Sequence, residues 1–400
     1  LSPAPSQGVL DAAPHCAKTI LARANSKGNT LHDPLFQPLD LGAIHAPNRI
    51  LMAPLTRGRA NMPGSVPGEM NATYYRQRAG AGLIISEATG ISQEGLGWPA
   101  APGIWSDEQV EGWKLVTDAV HADGGRIVLQ MWHMGRLVHS DFLGGKPPVS
   151  ASATTAPGHA HTFEGRKDNS PARALTLEEI PRVIEDYRHA AANAKKAGFD
   201  GVQLHGANGY LIDQFLRDST NLREDEYGGS PENRARLLRE VLEALIGEWG
   251  ADRVSVRLSP NGETQGCDDS DPAATFSAAA KVVEDLKLGF LELREPGPEG
   301  TFGQTDVPKQ SPMIREIYSG PLVLNSDYDA ASAAADVASG KCDAVSFGRP
   351  YISNPDLAER IAQDAPFAPN VDVPKSWYLP GPAGYIDYPT LEEEQAEAAE

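Results

Sequence analysis

The chain has 400 residues, 40% of them hydrophobic and 22% charged, which is enough for one large barrel or two ordinary domains. Its 54 acidic and 35 basic residues give a formal net charge of −19. This charge argues against nucleic acid or an anionic membrane as a partner, because both attract clustered Lys and Arg. A small soluble substrate that is neutral, or whose binding tolerates the negative charge of the protein, agrees better with this composition.

The three cysteines show no paired spacing, since Cys16, Cys267 and Cys342 are far apart in the sequence. This pattern argues against a disulfide framework, a zinc site or an iron–sulfur cluster, and no metal is expected. A reducing compartment, the cytoplasm, is the expected location. The sequence has no run of about 18 apolar residues, so no membrane span is predicted.

Residues 1–33 are predicted to form a flexible extension ahead of the folded part. The first 30 residues contain three basic residues, a single acid and no long apolar run, which is not the pattern of a secretory signal. Two interpretations stay open for this segment. It is either a disordered extension or the remnant of an organelle-targeting peptide, and the second would place the protein in an organelle.

The segment 35–350 has the pattern of a barrel. Residues 35–48 alternate apolar and polar residues around Gly42, which predicts a β-hairpin, and we expect it across the barrel floor. Short apolar runs then alternate with helical patterns, with no composition break, which predicts a single TIM (β/α)8 barrel of the α/β class. The eight predicted strands are Ile50–Met52, Leu83–Ser86, Ile127–Met131, Val202–His205, Val254–Leu258, Phe290–Leu293, Leu322–Leu324 and Ala344–Phe347.

Two of the crossover helices carry terminal signals. Thr176 and Glu179 predict a capping box at the start of a helix whose apolar face begins with Leu177, and Gly198 marks its end. Ser230 is predicted to cap a second amphipathic helix, with Pro231 at its first position.

Two stretches do not follow the alternation. Residues 136–175, after the third strand, are rich in Gly, Pro, Ser, Thr and His, and are predicted to form an extended excursion over the catalytic face that acts as a lid. Residues 391–400 are acidic and Ala-rich and are predicted to be a solvated helix or coil. The barrel is therefore expected to span residues 34–390.

In a TIM barrel the active site lies at the carboxyl ends of the strands, so a polar residue closing an apolar strand is a candidate. Segment 205–210 concentrates three such side chains before a helix predicted at Tyr210–Leu216. His205 and Asn208 can donate two hydrogen bonds to an oxygen, and preorganised donors stabilise the negative charge that develops on a carbonyl. Tyr210, with an ordinary pKa of about 10, can supply a proton. On spacing alone, structural roles for these residues are an equal alternative.

At these residues a resemblance to a known family becomes specific. The runs His205–Leu216 and Asn221–Arg236 are similar to the signature of the Old Yellow Enzyme family. Shorter matching motifs occur in the same order and extend the resemblance over roughly residues 34–390, namely Met52–Arg57, Gln130–Trp132, Val256–Pro260, Phe347–Arg349, Ile352–Asp356 and Gly384–Pro389.

The resemblance implies a flavoprotein that binds FMN non-covalently over the mouth of the barrel. Thr56 would bond the flavin C4 carbonyl, as in the branch of the family that has Thr rather than Cys, and Gln130 would bond the pyrimidine edge. The ring would be lined by Ala53, Pro54, Leu55 and Ala88.

The resemblance also assigns the charged parts of the cofactor. Arg257 would lie near N1 and the C2 carbonyl and favour the hydroquinone anion, with a structural ion pair as the alternative role. The phosphate cradle would consist of Asn325, Ser326, Gly348 and Arg349. The family usually has a Gly after the seventh strand. This chain has Asp327 in that loop instead, which leaves the loop conformation and the role of Asp327 open.

For the substrate, the resemblance implies an activated alkene, meaning an α,β-unsaturated ketone, aldehyde, imide or nitroalkene. His205 and Asn208 would hold its oxygen while Tyr210 protonates the α carbon, and Trp132 and Tyr378 would flank it. His133 is expected to point away from the barrel interior, because side chains alternate along a strand. The implied activity is an NADPH- or NADH-dependent ene-reductase, working as a monomer or homodimer.

Three other functions are alternatives to this one. A dienoyl-CoA reductase-like enzyme shares the barrel but adds an iron–sulfur cluster and another flavin domain, which three scattered cysteines do not support. A flavin-binding redox sensor or storage protein would not need the set at 205–210. A barrel aldolase would want a Lys at a strand end, and none of the eight predicted strands ends in Lys.

Overall fold

The computed structural model describes residues 31–301, 303–369 and 376–399. Cys16 and nearly all of the predicted flexible extension therefore lie outside the described residues. None of the described helices combines the length and apolarity that a membrane crossing requires.

Eight parallel strands form a closed barrel, as the sequence predicts. They are β3 (Ile50–Met52), β4 (Leu83–Ile85), β6 (Ile127–Trp132), β11 (Gly201–Gly206), β12 (Val254–Leu258), β13 (Phe290–Arg294), β14 (Leu322–Asn325) and β15 (Ala344–Phe347). They pair in the order β11-β12-β13-β14-β15-β3-β4-β6, and a further β11–β6 pairing closes the cylinder. Every observed strand lies within one residue of its predicted bounds at either end. A short strand, β5 (Thr89–Gly90), extends the β6 side.

The predicted hairpin closes the floor of the barrel. β1 (Leu39–Leu41) and β2 (Ile44–Ala46) are antiparallel, and their buried side chains pack with Leu51, Leu83, Val128, Phe290 and Val323 from inside the barrel. Gly42 makes the turn with a φ of 66°, and a Cβ there would collide with the Asp252 backbone. Only glycine fits so close an approach of two backbones.

Long crossover helices bury their apolar faces on the barrel, and shorter helices lie between and after them. The helices are α1 (Glu69–Arg76), α2 (Asp107–Ala122), α3 (Ile180–Lys196), α4 (Leu211–Leu216), α5 (Pro231–Arg234), α6 (Arg236–Trp249), α7 (Pro272–Leu286), α8 (Ser311–Ile317), α9 (Ala330–Ala338), α10 (Pro350–Ser353), α11 (Leu357–Ala362) and α12 (Leu391–Glu397). Short 3-10 helices occur at Asp33–Phe36, Gly135–Leu137, Ser140–Leu143 and Ala251–Arg253.

The predicted start of α3 was wrong by several residues. The helix begins at Ile180, with a turn before it, and Leu177 is exposed rather than part of the apolar face. Only half of the predicted capping box forms. The Glu179 carboxylate accepts from the Thr176 amide at 2.9 Å and also pairs with Arg173, but the Glu179 amide donates to the Thr176 backbone carbonyl at 3.1 Å instead of to its hydroxyl. The predicted end is correct, since Gly198 follows the helix with a φ of 85°.

The predicted cap at Ser230 is present, but the helix it caps is short. The Ser230 side chain accepts from the Asn233 amide at 3.3 Å, and Pro231 opens α5. The chain then bends at Ala235, and α6 carries the buried apolar stripe. The predicted single helix is therefore two.

The excursion at 136–175 is built from short elements. A hairpin, β8 (His159–Thr162) and β9 (Gly165–Asp168), projects from it, while β7 (Val149–Ser150) pairs in parallel with β10 (Arg173–Ala174). The C-terminal tail is helical. The side chain of Thr390 caps α12, and Arg360 bonds Glu394 in the first turn of this helix. The acidic tail is thus attached to the barrel.

Candidate active site

A cavity of about 530 Å³ lies at the carboxyl ends of the barrel strands. Every residue that the sequence assigned to a cofactor or substrate lines it. These residues are Ala53, Pro54, Leu55, Thr56, Ala88, Gln130, Trp132, His205, Asn208, Tyr210, Arg257, Asn325, Ser326, Gly348, Arg349 and Tyr378. The barrel therefore brings together side chains that are separated by more than 300 positions in the sequence.

The turn between β11 and α4 places two of the candidate donors. Asn208 and Gly209 have positive φ values of 59° and 80°, and a Cβ on Gly209 would press against the Thr264 carbonyl. The Asp213 carboxylate accepts from the Gly209 amide at 2.8 Å, and Asp213 is itself fixed by a fully buried ion pair with Arg217. This turn aims the Asn208 side chain at the cavity.

His205, Tyr210 and Trp132 form a compact aromatic group. The Tyr210 ring meets the His205 ring edge to face at 4.8 Å between centroids and the Trp132 ring at 5.0 Å. Burial raises the pKa of Tyr210 to about 12, so this phenol keeps its proton at neutral pH.

His205 is a neutral hydrogen-bond donor. Burial, with a smaller effect of the Arg257 charge, holds its pKa well below the ordinary value. Its Nδ1 accepts from the Ala207 amide at 3.4 Å, so the ring proton lies on Nε2. Nε2 is therefore the atom that can donate to a ligand.

Arg294 is a cavity residue that the sequence reasoning missed. It closes β13 one residue beyond the predicted strand and is buried, and its Nη1 donates to Asn208 Oδ1 at 3.3 Å. Because Oδ1 accepts from Arg294, the Nδ2 group of Asn208 is left to face the cavity as a donor. The rule that a polar residue closes a strand would have found Arg294 had the strand been extended by one residue.

Arg257 is held by an ion pair. Its Nη1 donates to Glu292 Oε1 and its Nη2 donates to Asn325 Oδ1 at 2.8 Å, while burial lowers its pKa. The predicted alternatives for Arg257, a cavity cation and an ion-paired residue, are thus combined in one side chain. Its buried Nε has no hydrogen-bond partner among the described residues.

The loop after β14 takes a conformation that glycine usually supplies. Ser326 and Asp327 have φ values of 128° and 52°. The Asp327 carboxylate accepts from Arg349 Nη2 at 3.0 Å and from the Thr301 hydroxyl. The guanidinium predicted for an anion cradle therefore pairs with a carboxylate of the chain itself.

Aromatic side chains form the rim of the cavity. Trp98 was not predicted as a site residue. Its ring centroid lies 5.2 Å from that of Tyr378 and 4.7 Å from that of His161 in the hairpin β8–β9. The excursion thus reaches the cavity edge through Trp98. His133 is buried and absent from the lining, as expected, and burial lowers its pKa to about 4.

Comparison with known proteins gives the family. The sequence profile described as the NADH:flavin oxidoreductase / NADH oxidase family, an FMN family, matches residues 34–367. The chain belongs to this family.

Solved structures and curated relatives agree with this assignment. The old yellow enzyme homologue from Zymomonas mobilis is 58% identical, covers 89% of this chain and 99% of its own, and superposes with a TM-score of 0.87. Morphinone reductase is 44% identical with a TM-score of 0.85, covering 90% and 97%. The curated 12-oxophytodienoate reductase 1 of Oryza sativa subsp. japonica is 41% identical, covering 90% of this chain and 94% of that one. The predicted resemblance to Old Yellow Enzymes is confirmed.

The flavin oxidoreductase is accordingly an enzyme that uses FMN with a nicotinamide reductant, and its cavity fits this cofactor. The unpartnered Nε of Arg257 offers a buried donor to a ligand acceptor. A Cβ on Gly348 would meet only Leu55 and Ala53 at ordinary contact distances, so the backbone here is open to a ligand. Among the described residues, no group of His, Cys, Asp or Glu forms a candidate metal site.

Proposed function

We propose that this flavin oxidoreductase reduces activated carbon–carbon double bonds. One observation carries the proposal. Two neutral donors, His205 Nε2 and Asn208 Nδ2, and a protonated phenol, Tyr210, line one cavity together with the flavin-side residues Gln130 and Arg257. Donors for an oxygen and a proton source are what the reduction of an alkene next to a carbonyl or nitro group requires.

The residues of the chain would divide the work as follows. His205 and Asn208 hold the carbonyl or nitro oxygen and stabilise the negative charge that develops on it, an effect worth roughly 3–4 kcal/mol for a donor in a favourable site. Tyr210 gives its proton to the α carbon. Trp132 and Tyr378 flank the substrate. FMN, when bound, would supply a hydride to the β carbon, and NADPH or NADH would be the source of that hydride.

The remaining lining residues would hold the cofactor. Thr56 and Gln130 bind the pyrimidine part of the ring, and Arg257 offers positive charge near N1. Ring packing falls to Ala53, Pro54, Leu55 and Ala88, and the phosphate cradle to Asn325, Ser326, Gly348 and Arg349.

Relatives support the substrate class and the reductant. The names morphinone reductase and 12-oxophytodienoate reductase denote keto compounds. A structure of morphinone reductase holds tetrahydroNAD, a nicotinamide compound. We propose ketones with an α,β double bond as the first substrates to assay.

The test is an absorption spectrum followed by turnover. The purified protein should show the bands of oxidised flavin, NADPH or NADH should bleach them, and 2-cyclohexenone should restore them. A protein that stays colourless after incubation with excess FMN, or one whose reduced flavin is not reoxidised by any enone without oxygen, would contradict the proposal.

Location and assembly complete the proposal. We expect the enzyme in the cytoplasm, or in an organelle if residues 1–30 carry targeting information. We expect a monomer or homodimer. Light scattering on the purified protein measures the oligomeric state, and imaging of the full chain with and without residues 1–30 measures the location.

A further inference from the structure

A row of buried polar side chains crosses the barrel directly beneath the cavity. Gln130 Nε2 donates to Gln203 Oε1 at 2.8 Å, and Gln203 Nε2 donates to Glu292 Oε2 at 3.0 Å. Glu292 Oε1 also accepts from the Ser346 hydroxyl at 2.6 Å and from Arg257. Gln203 and Glu292 are fully buried, so water does not satisfy or reverse these bonds.

The carboxylate fixes the direction of the whole row. An ionised Glu292 can only accept hydrogen bonds, so Gln203 must turn its NH2 group toward it. Gln203 then presents Oε1 to Gln130, and Gln130 must donate one of its two side-chain N–H groups to that oxygen. The side-chain carbonyl Oε1 of Gln130 and its second N–H therefore remain available to a ligand in the cavity.

This remaining pair matches one edge of a flavin. The pyrimidine part of the ring carries an imide, in which the N3–H donor stands between two carbonyl acceptors. An amide that offers one acceptor and one donor complements this edge, whereas a reversed amide would set its NH2 against N3–H. Leaving a buried donor without an acceptor costs about 1–3 kcal/mol.

We propose that Glu292 is a positioning residue for the flavin, acting through Gln203 to set the hydrogen-bond polarity of Gln130 and acting directly as the counter-charge of Arg257. The proposal rests on the placement of FMN in the cavity given under the proposed function. It adds two residues, Gln203 and Glu292, that do not line the cavity.

The counter-charge has its own consequence. Arg257 lies on the neighbouring strand, in register with Glu292, and both side chains are nearly completely buried. A neutral residue at 292 would leave the guanidinium uncompensated beside the ring. Extra positive charge there favours the reduced, anionic flavin, so the reduction potential should rise.

The first experiment follows the N3 proton of 15N-labelled FMN by NMR in the full-length holoprotein. In the wild type this proton should be protected from exchange with water. Gln203→Met, which keeps volume but breaks the row, should speed its exchange at least tenfold and weaken FMN binding, measured by fluorescence quenching. Ser255→Ala, a buried change on the adjacent strand outside the row, is the control and should change neither.

The second experiment exchanges the two anchoring residues. Glu292→Gln alone should speed N3 exchange and shift the reduction potential of the bound FMN upward. The double variant Gln203→Glu with Glu292→Gln keeps a carboxylate to which Gln130 must donate, so it should recover slow exchange. The neutral residue at 292 still leaves Arg257 without its direct counter-charge, so the potential should stay raised. A general loss of stability would not be rescued in this way.

The outcomes separate the two proposals. If wild-type protein holds FMN but exchange and potential are unchanged in Gln203→Met and Glu292→Gln, the positioning role is wrong and the proposed function is unaffected. If the variants behave as expected but reduced wild-type enzyme transfers no hydride to enones, the positioning role stands and the proposed function fails.

Discussion

At the scale of single residues, burial decides which protonation states the site can use. His205 and Tyr210 are both titratable, and burial moves their pKa values in opposite directions, the first downward and the second to about 12. Both are therefore neutral across the physiological range. A neutral donor and a protonated phenol side by side let the site stabilise a developing oxyanion and then supply a proton without first collecting one from solvent.

The acid role of Tyr210 makes a separable prediction. Tyr210→Phe removes the proton and leaves the ring that packs on His205 and Trp132. We expect the rate of flavin reoxidation by 2-cyclohexenone to fall by roughly 100-fold or more, since general acid catalysis contributes about 10²–10⁴-fold. Flavin reduction by the nicotinamide should stay within a factor of two or so of wild type. Stopped-flow traces measure both steps, and an equal loss in both would refute the role.

Arg294 makes a second prediction at this scale. It orients the Asn208 amide, so Arg294→Met should let the amide turn and should weaken binding of a phenol that mimics an enolate by about tenfold, the loss of one hydrogen bond to a charged group. The shift of the flavin spectrum on titration with the phenol measures the affinity. Arg294→Lys retains the charge and should lose less. Unchanged affinity in the Met variant, with only a lower melting temperature, would make Arg294 purely structural.

At the scale of elements, the sequence predicted what depends on periodicity. All eight barrel strands follow from local apolar runs and were found within a residue of their predicted bounds, and the floor hairpin lies inside its predicted segment 35–48. The start of α3 was missed because Arg173, six positions earlier, shares the Glu179 carboxylate with the Thr176 amide, and a turn at 177–179 separates Thr176 from the first helical residue. The break at Ala235 likewise depends on tertiary contacts, since Arg234 is tied to the Leu216 carbonyl.

The site was predictable only where its chemistry sits in a recognisable run. Segment 205–210 carried its own signal, and the family resemblance supplied the scattered partners. The row from Gln130 to Glu292 and the pair Asp327–Arg349 were not readable, because each joins strands or loops that only the closed barrel brings together. Trp98 was not predicted for the same reason, since only the folded chain places it beside Tyr378 at the rim of the cavity.

The loop after β14 yields a prediction of its own. The Asp327 carboxylate neutralises Arg349 and places negative charge where a phosphate is expected, in a backbone conformation that glycine prefers. Asp327→Gly should therefore tighten FMN binding by about tenfold, which corresponds to about 1.4 kcal/mol, within the range of a charge-assisted hydrogen bond. Fluorescence quenching on titrating apoprotein with FMN measures it.

A matched control exists elsewhere in the chain. Asp364 has a nearly identical φ of 55° and lies outside the cavity lining. Asp364→Gly relieves the same backbone strain without touching Arg349. If both variants tighten FMN binding equally, the gain is a matter of general stability and the electrostatic explanation of Asp327 is lost.

At the scale of the whole molecule, the loop after β3 is bonded to the C-terminal segment 376–384 at the site. Arg57 and Arg59 follow β3 and donate to backbone carbonyls of 376–384, and Tyr385 stacks on Tyr74 at 4.2 Å between centroids. The loop that carries Thr56 is thus fastened to the segment that carries Tyr378. Cavity shape and global stability are therefore coupled, and conditions that loosen the fold should also affect ligand binding.

Buried histidine gives the pH dependence of that stability. His133 is fully buried and its pKa falls to about 4 in the folded protein, against 6.5 for an ordinary His. Below pH 6.5 the His133 side chain binds a proton in the unfolded chain but not in the folded protein. The contribution of neutral His133 to the free energy of unfolding is therefore complete above pH 6.5 and decreases as the pH falls toward 4. Between pH 7 and pH 5 this residue alone should cost roughly 2 kcal/mol.

Urea unfolding of wild type and His133→Asn at several pH values measures this cost. Asn can still accept from the Gly135 amide, which bonds His133 Nδ1 at 3.0 Å, but it does not titrate. The variant should lose less stability than wild type between pH 7 and pH 5. Parallel slopes for wild type and His133→Asn would mean that His133 is protonated in the fold, and that the interior beside β6 is far more polar than its packing indicates.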